Sequence, residues 1–477
     1  MKKILILILF LFIITGCKKE VNVATSDKLT IYALNDFHGN VIDDKGGLSR
    51  IGNYLIDQKK DTPNQTVIVA SGDMLQGSAI SNMTQGKVVL DVMSYIGFDA
   101  MTIGNHEFDW GIDTIASLSE YASFPFLAAN IYDRSTNERV NWAAPYTTFM
   151  KGELKVGVIG IIGKALTEDI SPAIISGFEF KDEVPIVKEY ARKLRVEEKC
   201  DIVILSAHNN TQKDNQIYAD MGGDEQIDAV FNGHTHSNYH GETLGADGIR
   251  MPYVQSASTG QYIGKVELTI DNKKVVDGSA TNIRVSKVLA NESVEINNII
   301  NEYNEDVQDI INEVLGVAGT SINRTQATYW SVDVIKYYTN KDIAIINTGG
   351  IRSNAFPIDI DQGVTVGKVW EIMPFDNIVK TVDMKARDVV GVVPAGIQIS
   401  SNAKVISGNL YIDGNLIAPE TVVSVATIDY LFDNTSYGFL DGTNQVNTGI
   451  LFRDLLINYI REVCSNGDKF NANTLYD

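Results

Sequence analysis

The chain has 477 residues, with 44% hydrophobic and 21% charged residues. That length allows two to four domains at about 150 residues each, and the apolar fraction excludes a mainly disordered chain. Lys and Arg number 40 against 60 Asp and Glu, a formal charge of -20. This excludes a general attraction to a nucleic-acid polymer and leaves small anions only where cations reverse the sign locally.

In chain order, Lys2 and Lys3 precede an unbroken apolar run from Ile4 to Ile14. The run is too short to cross a hydrocarbon core of about 30 Å as a helix, but it suits the apolar part of a secretory leader. Ile14-Thr15-Gly16-Cys17 follows, and it resembles the lipobox of bacterial lipoproteins. That resemblance implies a cleaved signal peptide over 1–16, an acylated Cys17 and a tether over 17–28. The lipid bilayer is then a partner, and the location is the extracytoplasmic side of the bacterial cell envelope. Cys200 and Cys464 lie far apart without metal-ligand spacing and are expected as two free buried thiols.

From Leu29, apolar runs alternate with helical stripes. Leu29–Leu34, Thr66–Ala70, Ala100–Ile103, Lys155–Ile162, Asp201–Ser206 and Ala229–Phe231 read as strands buried on both faces. Leu48, Ile51 and Leu55 make one helical stripe; Val88, Val89, Val92, Met93 and Ile96 make another, with Gly97 as its cap. The alternation predicts an α/β layered domain. Gly260–Ser286 reads as β, with turns at Asp271-Asn272 and Asp277-Gly278. Apolar residues from Ile296 to Val314 recur at three and four positions and predict a connector helix over 291–316, capped by Asn291 or Ser293 and stopped at Gly316. Beyond it, strands are expected near Asp342–Ile346 and Thr421–Ala426, and a closing helix near Gly449–Val463.

The chain has six histidines, and five sit in polar turns directly after predicted strands. The turn segments are Asn35-Asp36-Phe37-His38-Gly39, Ser71-Gly72-Asp73, Gly104-Asn105-His106-Glu107-Phe108-Asp109, Ala207-His208-Asn209-Asn210 and Asn232-Gly233-His234-Thr235-His236. In an open α/β sheet, loops beyond the carboxyl ends of the strands converge on one crevice. Oxygen and imidazole donors without thiolate suit Zn, Mn, Co or Fe. Two Asp, one Asn and up to five His exceed what one ion takes, so two divalent ions are the expected cofactors. His240 stands outside every motif and reads as a surface residue.

The order of these motifs resembles the calcineurin-like metallophosphoesterases. The fuller pattern, from about Leu29 to Asp477, resembles the bacterial 5′-nucleotidases. The resemblance implies a four-layer α-β-β-α catalytic domain over 29–290, the connector helix over 291–316, and an α/β nucleotide-binding domain over 317–477. It implies one ion on Asp36, His38, Asp73 and His236 and a second on Asp73, Asn105, His208 and His234, with Asp73 bridging. Water activated between the two ions then attacks phosphorus. His106, oriented by Asp109, is implied as the catalytic pair, and Glu107 reads as fixing its loop.

In the second half, Asn347-Thr348-Gly349-Gly350-Ile351-Arg352 follows a predicted strand, and Phe375 and Tyr430 sit on turns. The resemblance implies substrate contacts at Asn347, Gly350, Arg352, Phe375 and Tyr430, and at Arg324. The chain departs from the family pattern at Ala327–Asp333, where an acidic-plus-asparagine motif is usual. It departs again at Asp433–Phe439, where a ribose-binding GGDG is usual; Asp433 or Asp441 is the available replacement.

These readings predict hydrolysis of nucleoside 5′-monophosphates to nucleoside and phosphate. Two alternatives use the same site: a 2′,3′-cyclic nucleotide phosphodiesterase with 3′-nucleotidase activity, and a UDP-sugar or nucleoside diphosphate hydrolase. A non-catalytic ligand-binding lipoprotein is the alternative of another class.

Overall fold

The computed structural model describes residues 27–42, 47–209, 215–288, 291–393 and 396–472. The leader and the lipidation expected at Cys17 lie outside the described residues.

Two six-stranded sheets build the first half. In one, Asp27–Leu34, Thr66–Ser71, Ala100–Thr102 and Phe126–Leu127 run parallel, and the hairpin Tyr262–Asp271 and Lys274–Arg284 extends it antiparallel. In the other, Leu154–Ile162, Ile202–His208, Ala229–Asn232 and Arg250–Ser256 run parallel, flanked by antiparallel Tyr146–Lys151 and Asn238–Leu244. The expected apolar runs thus lie in or at the ends of central strands, because a strand covered on both faces must be apolar throughout.

Side chains between the sheets make a dry layer: Ile31, Val67 and Val69 meet Val156, Val158, Ile202 and Phe231. Helices Leu48–Asp61, Lys87–Ile96 and Val294–Ile311 cover the outer face of the first sheet. Helix Glu183–Arg192 covers that of the second. The result is a four-layer α-β-β-α stack. Gly97, at φ 82°, caps Lys87–Ile96 through its N–H to the Met93 carbonyl.

Two expectations are corrected here. Asp277-Gly278 is not a turn. The hairpin turns at Asn272 and Lys273, and Gly278 lies within the second strand opposite Leu268. A Cβ at Gly278 would stand 2.6 Å from Pro252 Cδ, so this glycine serves close packing between backbones. The long helix also ends early. It spans Val294–Ile311, and Val314–Val317 is a strand paired with Gly363–Thr365. Val314 continues the apolar period only by coincidence: it is exposed, while Leu315 enters the core of the second half.

At the helix start, Ser293 is the cap, its hydroxyl accepting from the Ile296 N–H. Ile296, Ile300 and Val307 pack into the first half, and Tyr303 donates to Asp91 at 2.6 Å. The helix is therefore part of the first half's outer layer.

The second half holds a five-stranded sheet in the order Ile397–Ile399, Ile343–Asn347, Val422–Ile428, Ile378–Lys385 and Thr443–Leu451. Helices Arg324–Thr339 and Phe452–Cys464 complete its core. Cys200 is buried and Cys464 half-buried, and both are free thiols. Among the described residues, no helix is long and apolar enough to cross a membrane.

Candidate active site

The five turns meet where the carboxyl ends of the parallel strands of both sheets lie flush. The seam is polar there. Thr102 donates to Ser206 Oγ at 2.7 Å, and Ser71 and Ser206 hydroxyls lie 3.0 Å apart. Asp36 and His38 follow the first strand, Asp73 the second, and Asn105 and His106 the third. His208 ends Ile202–His208, and His234 and His236 follow Ala229–Asn232.

Two donor groups form. Asp36, His38 and His236 make one, and Asp73, His208 and His234 the other; within each, ligand atoms lie within 4.8 Å of one another. Asn105 Oδ1 joins the second group, 3.1 Å from both His208 Nε2 and His234 Nδ1. Asp73 Oδ2 lies 3.2 Å from His208 Nε2, while Asp73 Oδ1 accepts the His106 N–H at 2.8 Å.

The donor chemistry fits divalent cations. His38 Nδ1 faces the Gln76 carbonyl at 3.1 Å, and His208 Nδ1 faces the Ser71 carbonyl at 2.7 Å. For His38 this leaves Nε2 as a lone pair pointing into its group; His208 turns its Nε2 to Asp73 and offers a lone pair there only on giving up its proton. Burial holds His38 well below the ordinary imidazole range, and lowers His234 and His236 to about 4, so these three are neutral at pH 7 with lone pairs available to a cation.

His208 differs. Burial opposes its charge, but Asp73, and then Asp36, outweigh it and push it up to about 10. Burial raises Asp36 to about 7. A proton thus sits in the cluster where a cation would otherwise compensate the carboxylates.

The backbone is strained here. Asp36, His38, Asp73, His234 and His236 have φ of 49°, 52°, 54°, 80° and 55°. A left-handed non-glycine residue costs about 1–3 kcal/mol and persists only where surroundings over-determine it.

Glu107 is one such determinant. Buried, its carboxylate accepts N–H bonds from Gly104 at 2.7 Å, Asp73 and Met74 at 2.9 Å, and Leu75 at 3.2 Å. It ties the Asp73 turn to the Asn105-His106 turn.

His106 Nδ1 faces Asp109 Oδ2 at 2.9 Å, and its Nε2 accepts from Arg352 Nη2 at 3.0 Å. Burial lowers the His106 pKa, but Asp109 and Asp73 outweigh it and the net shift is upward. Phe375 stacks on His106 with centroids 5.5 Å apart, and the Arg352 guanidinium lies 4.8 Å from the Phe375 ring. The Phe375 ring therefore meets His106 and Arg352 instead of lying open.

A cavity of about 420 Å³ lies between the two halves. Asp73, Asn105, His106, Asp109, His234 and His236 line one wall; Asn347, Gly350, Arg352, Phe375 and Tyr430 line the other. Tyr430 closes the rim, its hydroxyl donating to the Glu168 carbonyl at 3.1 Å. Arg324 stands elsewhere. It donates to the Ile351 and Thr348 carbonyls, both at 2.7 Å, and so braces the glycine loop from behind.

Asp433 reaches the cavity, but Lys380 takes both its oxygens at 2.7 Å; Asp441 is not on the wall. Asp333, within the departing Ala327–Asp333 segment, accepts from the Ser401 N–H at 2.7 Å. His240 is exposed, as expected.

Several residues escaped the sequence reading. Asp169 and Asp429 line the cavity, and Asp169 Oδ2 lies 3.6 Å from His234 Nε2. Buried Arg453 donates to the Phe375 carbonyl at 3.1 Å and pairs with Asp376. A charge on the apolar face of a closing helix was the available signal for Arg453.

Comparison with known proteins agrees with this architecture. Residues 29–238 match the calcineurin-like phosphoesterase family, and residues 310–393 match the 5′-nucleotidase C-terminal domain. Among curated relatives, the endonuclease YhcR of Bacillus subtilis is 28% identical over 77% of this chain, but the match spans only 33% of that protein. A 5′-nucleotidase of Vibrio cholerae is 26% identical over 76% of this chain and 74% of its own. The crystal structure of a 5′-nucleotidase precursor from Thermus thermophilus superposes with a TM-score of 0.78 at 20% identity, covering 92% of this chain and 97% of that one; it shares the fold.

Two outcomes are expected. Glu107→Ala leaves four backbone N–H groups without their acceptor, at about 1–3 kcal/mol for each buried donor that water does not reach; thermal unfolding should fall by several degrees and bound metal should drop, whereas an unchanged melting temperature contradicts the role. Loading the metal-free protein with Zn at pH 7 should expel the His208 proton. Calorimetric enthalpies measured in buffers of different ionisation enthalpy should therefore differ, and buffer-independent enthalpies contradict it.

Proposed function

We propose that this phosphoric ester hydrolase, which joins a calcineurin-like phosphoesterase domain matched over residues 29–238 to a 5′-nucleotidase C-terminal domain matched over residues 310–393, is a 5′-nucleotidase that hydrolyses nucleoside 5′-monophosphates to nucleoside and phosphate. The observation that carries the reading is the shared cavity: both donor groups border it on one side and the Asn347–Arg352 loop, Phe375 and Tyr430 on the other. The working division is a catalytic domain over 29–290, a connector over 291–316 and a substrate-binding domain over 317–477.

In this reading Asp36, His38 and His236 would hold one divalent ion, Asn105, His208 and His234 would hold the second, and Asp73 would serve both. When bound, the two ions supply Lewis acidity toward a phosphoryl group and acidify water. The protein's own residues do the rest. Arg352 and His106 now bond to each other; a phosphate entering between them accepts from the Arg352 guanidinium, and the freed His106 Nε2 takes up a proton from solvent and becomes the second donor, so one charged donor on a neutral ring is replaced by two donors on an anion. His106, held by Asp109, then faces the leaving oxygen and stabilises or protonates it. Phe375 and Tyr430 supply aromatic faces for a nucleobase, which requires Phe375 to leave the His106 ring. Asn347 contributes amide donors and acceptors, and Gly350 lets backbone approach closely.

The leader pattern supports a reaction outside the cytoplasm, with the chain anchored through Cys17, where it would release nucleoside and phosphate for uptake.

The test is phosphate release by the purified chain with Mn or Zn added. The panel holds AMP, 3′-AMP, 2′,3′-cyclic AMP, ADP, UDP-glucose and a small aryl phosphate. AMP should be the best substrate. A faster cyclic or diphosphate substrate would move the assignment to that class, and no turnover of any phosphoester would favour a binding protein. Phe375→Ala should raise KM for AMP roughly tenfold, since base stacking is worth ~1–3 kcal/mol, and change that for the aryl phosphate far less. Equal effects on both remove the stacking role.

A further inference from the structure

The turn that carries Phe375 is held from two sides. From behind, Arg453 takes the carbonyls on either side of Pro374: Phe375 at 3.1 Å and Met373 at 3.5 Å. Its guanidinium also stacks 3.4 Å from the Trp370 ring centroid. This leaves the Pro374 carbonyl pointing the other way, toward the catalytic half.

Two side-chain amides from the catalytic half meet it there. Gln76 Nε2 and Asn82 Nδ2 each donate to the Pro374 carbonyl at 3.1 Å. One carbonyl with two lone pairs thus accepts two hydrogen bonds from a segment about 300 residues away in sequence. Both donors are buried, Gln76 at 0% and Asn82 at 5% exposure.

The Gln76 amide has little other use. Its Oε1 is buried without a hydrogen-bond partner, which is costly for a group with no task elsewhere. Its backbone carbonyl faces His38 Nδ1 at 3.1 Å, so the residue that grips the Phe375 turn also orients a donor of the first group. Asn82 is fixed by exchange with Gly77, accepting from its N–H at 2.9 Å. Gly77 in turn passes so close to His38 that a Cβ would stand 2.2 Å from the His38 carbonyl. Asn82 is therefore held by its own half, whereas the Gln76 amide has Pro374 as its hydrogen-bond partner.

We propose that Gln76 and Asn82 form an amide clasp on the Pro374 carbonyl, which holds the cleft closed and keeps the backbone of the Phe375 turn at the cavity wall, from where the ring swings off His106 onto a base. The clasp acts through the backbone of the Pro374-Phe375 turn and touches no reacting atom, so these are positioning residues. Proline suits the gripped position because it has no N–H to compete for the acceptors nearby. The consequence for binding rests on the nucleotide reading given above; the consequence for closure does not.

The test uses Gln76→Met and Asn82→Asp, singly and together, in the full chain. Met keeps the length of Gln without a donor, and Asp keeps the acceptor that fixes the Gly77 N–H. Metal content per chain and the rate on a small aryl phosphate should stay within about twofold of the parent. KM for AMP should rise roughly tenfold in the double variant with kcat changed less. Small-angle scattering without substrate should show a larger radius of gyration.

An unchanged radius together with an unchanged KM overturns the clasp. So does loss of metal with equal loss of both activities, which would make the two residues mere support for the His38 turn. If the parent turns over no nucleotide, the nucleotide reading fails and the scattering comparison alone decides the clasp.

Discussion

Everything in this protein follows from two parallel sheets packed face to face with their carboxyl ends flush. The dry layer between them fixes the spacing. The hydroxyls of Ser71, Thr102 and Ser206 fix the level, linking strands of one sheet to a strand of the other. Once the strand ends coincide, five turns must share one small volume. Each brings carboxylate, amide or imidazole there. Anionic and polar groups crowded this closely in a buried site are stable only with protons or cations among them. The shifted His208 and Asp36 are the protonic form of that compensation. In the proposed reaction divalent ions take that place.

The same packing explains why local strain persists. Five donor residues keep left-handed backbone because neighbouring turns lock them. Glu107 joins two of these turns with four hydrogen bonds, and Asp36 accepts the His234 N–H from the opposite sheet at 2.9 and 3.0 Å. A preset constellation of this kind spends little free energy on rearrangement when charge arrives. The second half adds Arg352, Phe375 and Tyr430 to one side of the cavity and is held there by contacts at both ends of it.

The donor set was legible in the sequence because each member sits in a short polar turn after an apolar strand, a pattern that survives without knowledge of tertiary structure. Asp36 through His236 were read that way, and the structure brings them together. The strands were legible for the same reason. The end of the long helix was not, because Val314 keeps the apolar period although Leu315 already belongs to another core. Arg324 was read toward a ligand, and it holds loop carbonyls instead. Gln76 and Asn82 were invisible since they act on a backbone carbonyl of a distant turn, an interaction that leaves no spacing signature, while Arg453 showed only as a charge on the apolar face of the closing helix. Phe375 was legible as an exposed aromatic, but not its contact with His106.

The most direct measurement of the central claim is anomalous diffraction from crystals grown with Zn or Mn. Two peaks are expected, one within bonding distance of Asp36, His38 and His236, the other of Asp73, His208 and His234. A single peak, or ions bound away from these six side chains, would contradict the account.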